Sequence, residues 1–530
     1  MAKNDEALLV NPSVEELEDR IVPLFLQHGT HHFASHTILQ DGLNYFVMDG
    51  VGYIAFLDGK FGGTQAPLTL GPVCSEENLP DLILGFEEQI RKPIRYDPSF
   101  FYVDEPTARA LHDLGYKVNQ CGKTTTLDLT EWNTEGPLKG QLRRSRNKAQ
   151  KEGITVEEVL MNDVNMGELQ RTVDKWMDQK IAGGEEFHFL ARPLVYGDEL
   201  VKGDEGILMK RRDGLSSEGS PLVRKFIARD NQGEIIGVSV YDPIIKDGEI
   251  IGYIESIRRS SIQTAAGIQD VITLHAIDQF RSENRNFFSL GPSVLYKIDD
   301  KGEFDFDRFV QWNLEFSYRN WGQTVFNYAT LAYHKSIFRG KEEQIYFASR
   351  KPGILSTNDL LAAYYATNIP LFGKLLKGWK EEGKNPYPHL GSELVRNNLF
   401  LGKPSNKVAI IDGDSKRRNE IANRLWKRYR VVEYNTSSYQ GVGGAVRELT
   451  HDTAALVISS DISGESTLKG VRSLVERGEK KPIVLYGTVS KQPLDKIREA
   501  IGRSHVYQIA STDPKEVYFE VGIALQGPKR

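Results

Sequence analysis

At 530 residues, with 40% apolar and 26% charged residues, the chain has room for about three packed domains and the composition of a globular protein. A net charge of −5 excludes a whole-chain electrostatic affinity for nucleic acid or membrane, so local clusters must supply any such affinity. The cysteines, Cys74 and Cys121, exclude a disulfide framework and a thiolate metal centre, and fit a reducing compartment.

The acidic start, MAKNDEALLV, has no basic n-region and no apolar h-region, so no secretory signal is expected. No uncharged apolar run reaches the ~18–20 residues of a membrane span. The expected location is cytoplasmic, at most peripheral at an inner membrane.

In chain order, residues 14–28 read as a helix, with Leu17, Ile21, Leu24 and Phe25 on one face. LNYFVMD and VGYIAFLD alternate as strands around a glycine turn. LTLGPV, a helix near 79–91, the strand FFYVD, the helix PTARALHDLG and the strand KTTTLDLTEW follow. The basic helix LRRSRNKAQK comes next, stopped by Gly153. A second block holds a helix with Trp176, the hairpin KFIARDNQGEIIGVSVYDPII and the strand IIGYIES. It continues through the turn QTAAGI, an apolar-periodic helix (Val271, Leu274, Ile277, Phe280) and a strand Phe287–Leu290 stopped by Gly-Pro. LAYHKSIFRGKEEQIYFAS and a helical tail, 357–380, close the block.

A linker rich in Gly, Pro and Asn then precedes five strands alternating with five helices, the pattern of a doubly wound parallel sheet. The fold class is therefore α/β: two mixed α/β halves (14–153, carrying the basic helix, and 154–356), a tail and linker (357–405) and a five-stranded unit (406–526).

Five segments in order resemble the catalytic part of bacterial phosphatidylglycerol lysyltransferases, a tandem GNAT module. They are LTLGPV–helix–FFYVD, LRRSRNKAQKEG, DKWMDQKIAGGEEFHF, GIQDVITLHAIDQFRSENRNFFSLGP and LAYHKSIFRGKEEQIYFAS. The resemblance covers residues 14–350 and implies transfer of an amino acid from aminoacyl-tRNA, without a further cofactor or metal. It carries the family's acidic-x-x-Arg pair onto Glu255 and Arg258. It places the lysine of a Lys-x-Lys-Phe-like motif on Lys335, with Ile337 at the second lysine and Phe338 kept.

A carboxylate can hold an α-ammonium, a guanidinium can grip phosphate or carboxylate, and a lysine at the end of a strand beside the cleft, where Lys335 is expected, can neutralise the tRNA terminus or a tetrahedral intermediate. A structural ion pair and a solvated lysine are the alternatives. Gly267 and Asp270, at the turn and helix start, are candidates for binding substrate. Arg143, Arg146 and Asn147 share a face of the basic helix that suits RNA phosphates or an anionic headgroup, against the alternative of a plain solvated face.

QTAAGI keeps one glycine of an acyl-CoA pyrophosphate loop, which leaves acyl-CoA as an alternative donor and a non-catalytic scaffold as a third reading. His28, His31, His32 and His36 have no zinc-finger spacing, so no metal site is expected.

Residues 406–526 resemble a response-regulator receiver, a unit that docks protein partners. Asp412 stands in its acidic cluster, and Ser460, beside Asp461, at the phospho-acceptor position. The lysine expected after the fifth strand is replaced in ASTDP. Docking by a pseudo-receiver and a phosphorylated switch both remain, the missing cation favouring docking.

Overall fold

The computed structural model describes residues 6–368 and 407–526, apart from residues 41, 62–63, 95–96, 160–165, 182–186, 195–198, 204–205, 211–219, 261–266, 299–302, 322–327, 352, 426–428, 437–440, 448, 450–452, 460, 462–463, 478, 480, 488–490 and 503–504. The first part of the chain supplies β1 (Glu6–Leu9), β2 (Asn44–Met48), β3 (Gly52–Phe61), β4 (Thr64–Cys74), β5 (Ser99–Val103) and β6 (Lys117–Asp128). β7 (Thr155–Glu158) follows the basic helix Gly140–Lys151. β8 (Glu199–Gly203), β9 (Gly206–Lys210) and β10 (Ser220–Pro221) form a small separate sheet. β11 (Arg224–Arg229), β12 (Ile235–Lys246), β13 (Glu249–Ser260), β14 (Phe287–Val294) and β15 (Lys341–Ser349) complete the large sheet.

That sheet has twelve strands in the order β1-β2-β3-β4-β5-β15-β6-β14-β13-β12-β11-β7. The two halves read from the sequence share it. β15, late in the chain, lies between β5 and β6, and β6 pairs in turn with β14. Most pairs are antiparallel, but β13 and β14 run parallel, joined by the crossover helix Ile268–Ser282. Ile268, Ile272, Leu274, Ile277 and Phe280 of that helix are buried, and Phe280 stacks on Tyr253 of β13 at 4.2 Å between ring centroids. This packing holds the helix over β11, β12 and β13, toward one end of the sheet.

Two expectations need correcting. β14 does not stop at Gly-Pro. It runs on to Val294, because a bulge between Ser289 and Pro292, with Gly291 at φ 73°, bends the strand without ending its pairing to β6. Lys335 is not at a strand end, since LAYHKS belongs to the helix Tyr328–Ser336. A helix, Arg308–Trp321, was not anticipated. The tail helix spans Gly353–Ala366, and the linker expected up to residue 405 lies outside the described residues from 369 onward.

In the C-terminal unit, β16 (Lys407–Ile411), β17 (Arg430–Tyr434), β18 (Thr453–Ser459), β19 (Ile483–Tyr486) and β20 (Val506–Ile509) are all parallel, in the order β17-β16-β18-β19-β20. Val408 and Ile410 pack in one apolar layer and Ala409 and Ile411 in the other, so β16 is covered on both faces. The unit touches the large module beside the helix Tyr328–Ser336. The Tyr296 hydroxyl donates to the Arg447 carbonyl at 3.0 Å, and the Arg447 guanidinium lies 4.6 Å from the centre of the Tyr333 ring. No helix among the described residues is long and apolar enough to cross a membrane.

Candidate functional site

In a regular strand, residues three apart point to opposite faces. Glu255 and Arg258 nevertheless meet, because the register of β12 against β13 slips between Val240 and Tyr241, which face Ile257 and Glu255. Ser256 is therefore an extra residue in β13, and the bulge returns Arg258 to the face of Glu255. Arg258 Nε stands 3.4 Å from Glu255 Oε2, an ion contact that leaves both buried atoms without a hydrogen bond. The other carboxylate oxygen, Oε1, accepts from the Thr273 hydroxyl at 2.7 Å and the Tyr241 hydroxyl at 3.4 Å.

The second bulge, in β14, aims a carbonyl at Lys335. Lys335 Nζ donates to the Pro292 oxygen at 2.5 Å. A methyl group on Gly291 would sit 3.1 Å from the Glu255 carbonyl oxygen and 3.5 Å from Lys335 Nζ, so the backbone here passes close to both. Burial pushes the Lys335 ammonium down to about 7, with Glu255 opposing the shift and Arg258 adding to it.

Asp270 lies in the first turn of the helix Ile268–Ser282 and is buried. Its Oδ1 lies 2.6 Å from His334 Nδ1, and its Oδ2 accepts from the Ser145 hydroxyl at 3.1 Å. Burial works to raise the Asp270 carboxyl, but His334 and Arg258 outweigh it and hold the group below its ordinary range. Burial, helped by Arg258 and opposed by Asp270, lowers the His334 imidazole, and its Nε2 is buried without a hydrogen bond. Asp270 contacts the basic helix rather than facing the cavity directly. Gly267, at φ 104°, is a close-approach glycine, since a methyl group there would stand 2.5 Å from Ser145 Oγ.

The basic helix uses part of its charge internally. Arg143 donates to the Thr134 and Gly136 carbonyls, and Arg146 pairs with Asp278 at 2.8 Å. Asn147 is exposed, as are Arg144, Lys148 and Lys151, which form the outward cationic face. Gln141 accepts from the Tyr333 hydroxyl at 2.6 Å, tying this helix to the one that carries Lys335.

Glu255, Arg258 and Lys335 line one cavity of about 180 Å³, whose opposite wall includes Phe33, Tyr102, Trp176, Phe187 and Leu190. The Arg259 guanidinium lies 5.2 Å from the Trp176 ring centre. Asp242 is buried behind this wall, held by Arg192 at 2.8 and 3.0 Å and by the Ser256 hydroxyl at 2.5 Å. Of the four clustered histidines only His36 lines the cavity. His31 accepts from the Phe33 amide and His32 stacks on Phe287. No group of three His, Cys, Asp or Glu among the described residues is placed to hold a metal ion. His334 was not singled out from the sequence, because its partner Asp270 lies 64 residues earlier in the chain.

In the C-terminal unit Asp412, after β16, is buried and bonded through both oxygens to Arg417, at 2.7 and 2.9 Å. Arg417 also reaches Ser459 Oγ at 3.1 Å and Asp461 Oδ2 at 2.5 Å, and the Tyr486 hydroxyl donates to Asp412. The acids at the carboxyl ends of β16 and β18 are thus occupied by a cation of the chain itself. Ser460 lies outside the described residues.

The chain thus has a mixed α/β core with a bulged acid–guanidinium pair and a buried lysine on one cavity. The phosphatidylglycerol lysyltransferase C-terminal family matches residues 23–349, and the chain belongs to it. Residues of this chain are 25% identical over 182 positions to a phosphatidylglycerol lysyltransferase of Staphylococcus aureus (strain MRSA252), covering 34% of this chain and 20% of that protein. The match therefore spans one fifth of that relative. The fold is similar to that of L-PGS from Bacillus licheniformis (TM-score 0.52, 18% identity), over 67% of this chain and 97% of that one. It is also similar to a C-terminal domain assigned to a lysylphosphatidylglycerol synthetase of Agrobacterium fabrum (TM-score 0.50, 18% identity), over 67% of this chain and 98% of that one.

Proposed function

We propose that residues 14–356 form an aminoacyltransferase that moves an amino acid from aminoacyl-tRNA to a hydroxyl or amine acceptor, the headgroup of an anionic glycerophospholipid being the first to test. The observation that carries this reading is the convergence of Glu255, Arg258 and Lys335 on one cavity, with Glu255 Oε2 and Arg258 Nε buried and short of hydrogen bonds. Buried polar atoms left in this state call for an explanation, and a bound polar substrate supplies one.

In this reading Glu255 holds the α-ammonium of the aminoacyl group. Arg258 grips the anionic tRNA terminus, and Lys335 stabilises the oxyanion formed as the ester carbonyl is attacked. The donor ester is already activated, so positioning and charge stabilisation carry the reaction. The outward face of the basic helix, Arg144, Lys148 and Lys151, would take tRNA or lipid phosphates. Residues 406–526 would serve as a docking or regulatory unit, working at the membrane surface or in the cytoplasm. An acyl-CoA donor is less well served, because Ser145 stands where a pyrophosphate would approach Gly267.

The test is incubation of the full chain with a panel of tRNAs charged with labelled amino acids and with phosphatidylglycerol vesicles, followed by separation of labelled lipid. Label appearing in lipid, or in another acceptor from a cell extract, supports the proposal. No transfer from any charged tRNA to any acceptor overturns it and leaves a binding scaffold.

A further inference from the structure

We infer that His334 is the proton acceptor of this transfer, with Asp270 and Ser145 as the residues that position it; the inference rests on the aminoacyltransferase reading above. The bond from Nδ1–H to Asp270 Oδ1 at 2.6 Å fixes the tautomer, so the lone pair is on Nε2. Ser145 donates to the second oxygen of Asp270 at 3.1 Å and holds that carboxylate in place. Nε2 itself is buried and makes no hydrogen bond. Leu331 and Lys335, three residues before His334 and one after it on the same helix, both line the cavity, and the buried His334 ring lies behind that wall, close enough to feel the charges of Arg258 and Glu255.

The other bases of the site are engaged. Lys335 donates to Pro292, while Glu255 accepts from Thr273 through one oxygen and, in the reading above, takes the donor's α-ammonium on the other. His36 packs edge-on against Phe33, and no carboxylate among the described residues hydrogen-bonds its ring.

As the acceptor oxygen or nitrogen forms its bond to the aminoacyl carbonyl carbon, its proton passes to Nε2. When the tetrahedral intermediate collapses, the carbon–oxygen bond to the tRNA ribose breaks and the imidazolium returns that proton to the leaving oxygen. No other reactant is consumed.

The charged groups acting on the ring are Asp270 from the helix Ile268–Ser282 and Glu255 and Arg258 from β13. Because the imidazole is held below its ordinary value, the rate should fall on the acid side only below about pH 6.5, the ordinary histidine value.

The test is H334N in the full chain. An asparagine amide nitrogen takes the place of Nδ1 and keeps the bond to Asp270, but nothing takes the place of Nε2. With charged tRNA and phosphatidylglycerol vesicles, H334N is expected to keep its melting temperature and its KM for tRNA, lose about 100-fold in kcat, and lose the acid limb of the pH profile. Near-normal kcat with the limb intact overturns the assignment and leaves a structural pair.

As a second measurement, carbethoxylation of His334 in the wild type, mapped by mass spectrometry, should be slowed by charged tRNA. A ring that stays unmodified without tRNA is unreachable, and also overturns it. A wild type that transfers nothing removes the transferase reading itself, whereas an active wild type matched by H334N removes only the role of His334.

Discussion

A lysine ammonium enclosed by protein and flanked by a guanidinium is less stable than one in water, and Lys335 carries that penalty in the folded chain. Its folded value, about 7, lies below the value of 10.5 for a free lysine. Between these values the unfolded chain binds the proton and the folded chain does not, so this residue makes stability rise with pH across that window. Lys335→Met should therefore resist urea better than the wild type at pH 7, with the gap closing toward pH 10.5; unfolding curves at several pH values check this. Transfer that depends on the Lys335 cation should decline as pH rises through about 7, giving a basic limb that Lys335→Arg removes.

Glu255→Gln keeps the shape but leaves Arg258 facing no counter-charge. Loss of about 10²–10³-fold in kcat/KM with an unchanged fold is the expected outcome, read from initial rates and circular dichroism.

At the scale of elements, two bulges set the site, and glycines in the two bulged strands make the point testable. A methyl group on Gly252 of β13 would lie 2.0 Å from the Phe287 carbonyl oxygen, inside the parallel pairing of β13 with β14. Gly252→Ala should lower stability by about 1–3 kcal/mol or more, since backbone rather than a side-chain tip must move. Gly291→Ala, strained by its positive φ and pressed toward Lys335, should reduce transfer by more than its smaller loss of stability explains. Paired melting and rate measurements separate the two effects.

Strand and helix alternation made most elements legible in the sequence, including all five strands of the C-terminal unit. Glu255, Arg258 and Lys335 were singled out through the family resemblance. The spacing could not say that Glu255 and Arg258 share a face, because an extra residue at Ser256 leaves no periodic mark. HKSIF was misplaced for a related reason: a short aromatic run fits helix and strand alike, and the flanking helix settles it. His334 was hidden because its partner is brought in by tertiary packing, and Arg417 because KRR at a helix start reads as a solvated run.

For the whole molecule, the five-stranded unit carries its own counter-cation. Burial raises the Asp412 carboxyl, but Arg417 and Tyr486 outweigh this and hold it below its usual range. That stabilisation is present above the unfolded carboxylate value and is lost as pH falls through the folded one. Arg417→Ala should lower the melting temperature of the unit at neutral pH, and millimolar Mg²⁺ should restore part of it in the variant but not in the wild type. Calorimetry with and without the metal decides. The Arg447–Tyr333 stacking places this unit against the helix of Lys335, so the same experiment read by transfer rate reports whether the two parts communicate.

The strand β15 has a consequence for how the protein is made. Its place between β5 and β6 stays vacant on the ribosome until the chain from Lys341 to Ser349 has emerged. Until then the nascent amino-terminal half exposes two unpaired strand edges, so it should depend on chaperones during translation, and a fragment ending near residue 153 should aggregate when synthesised alone.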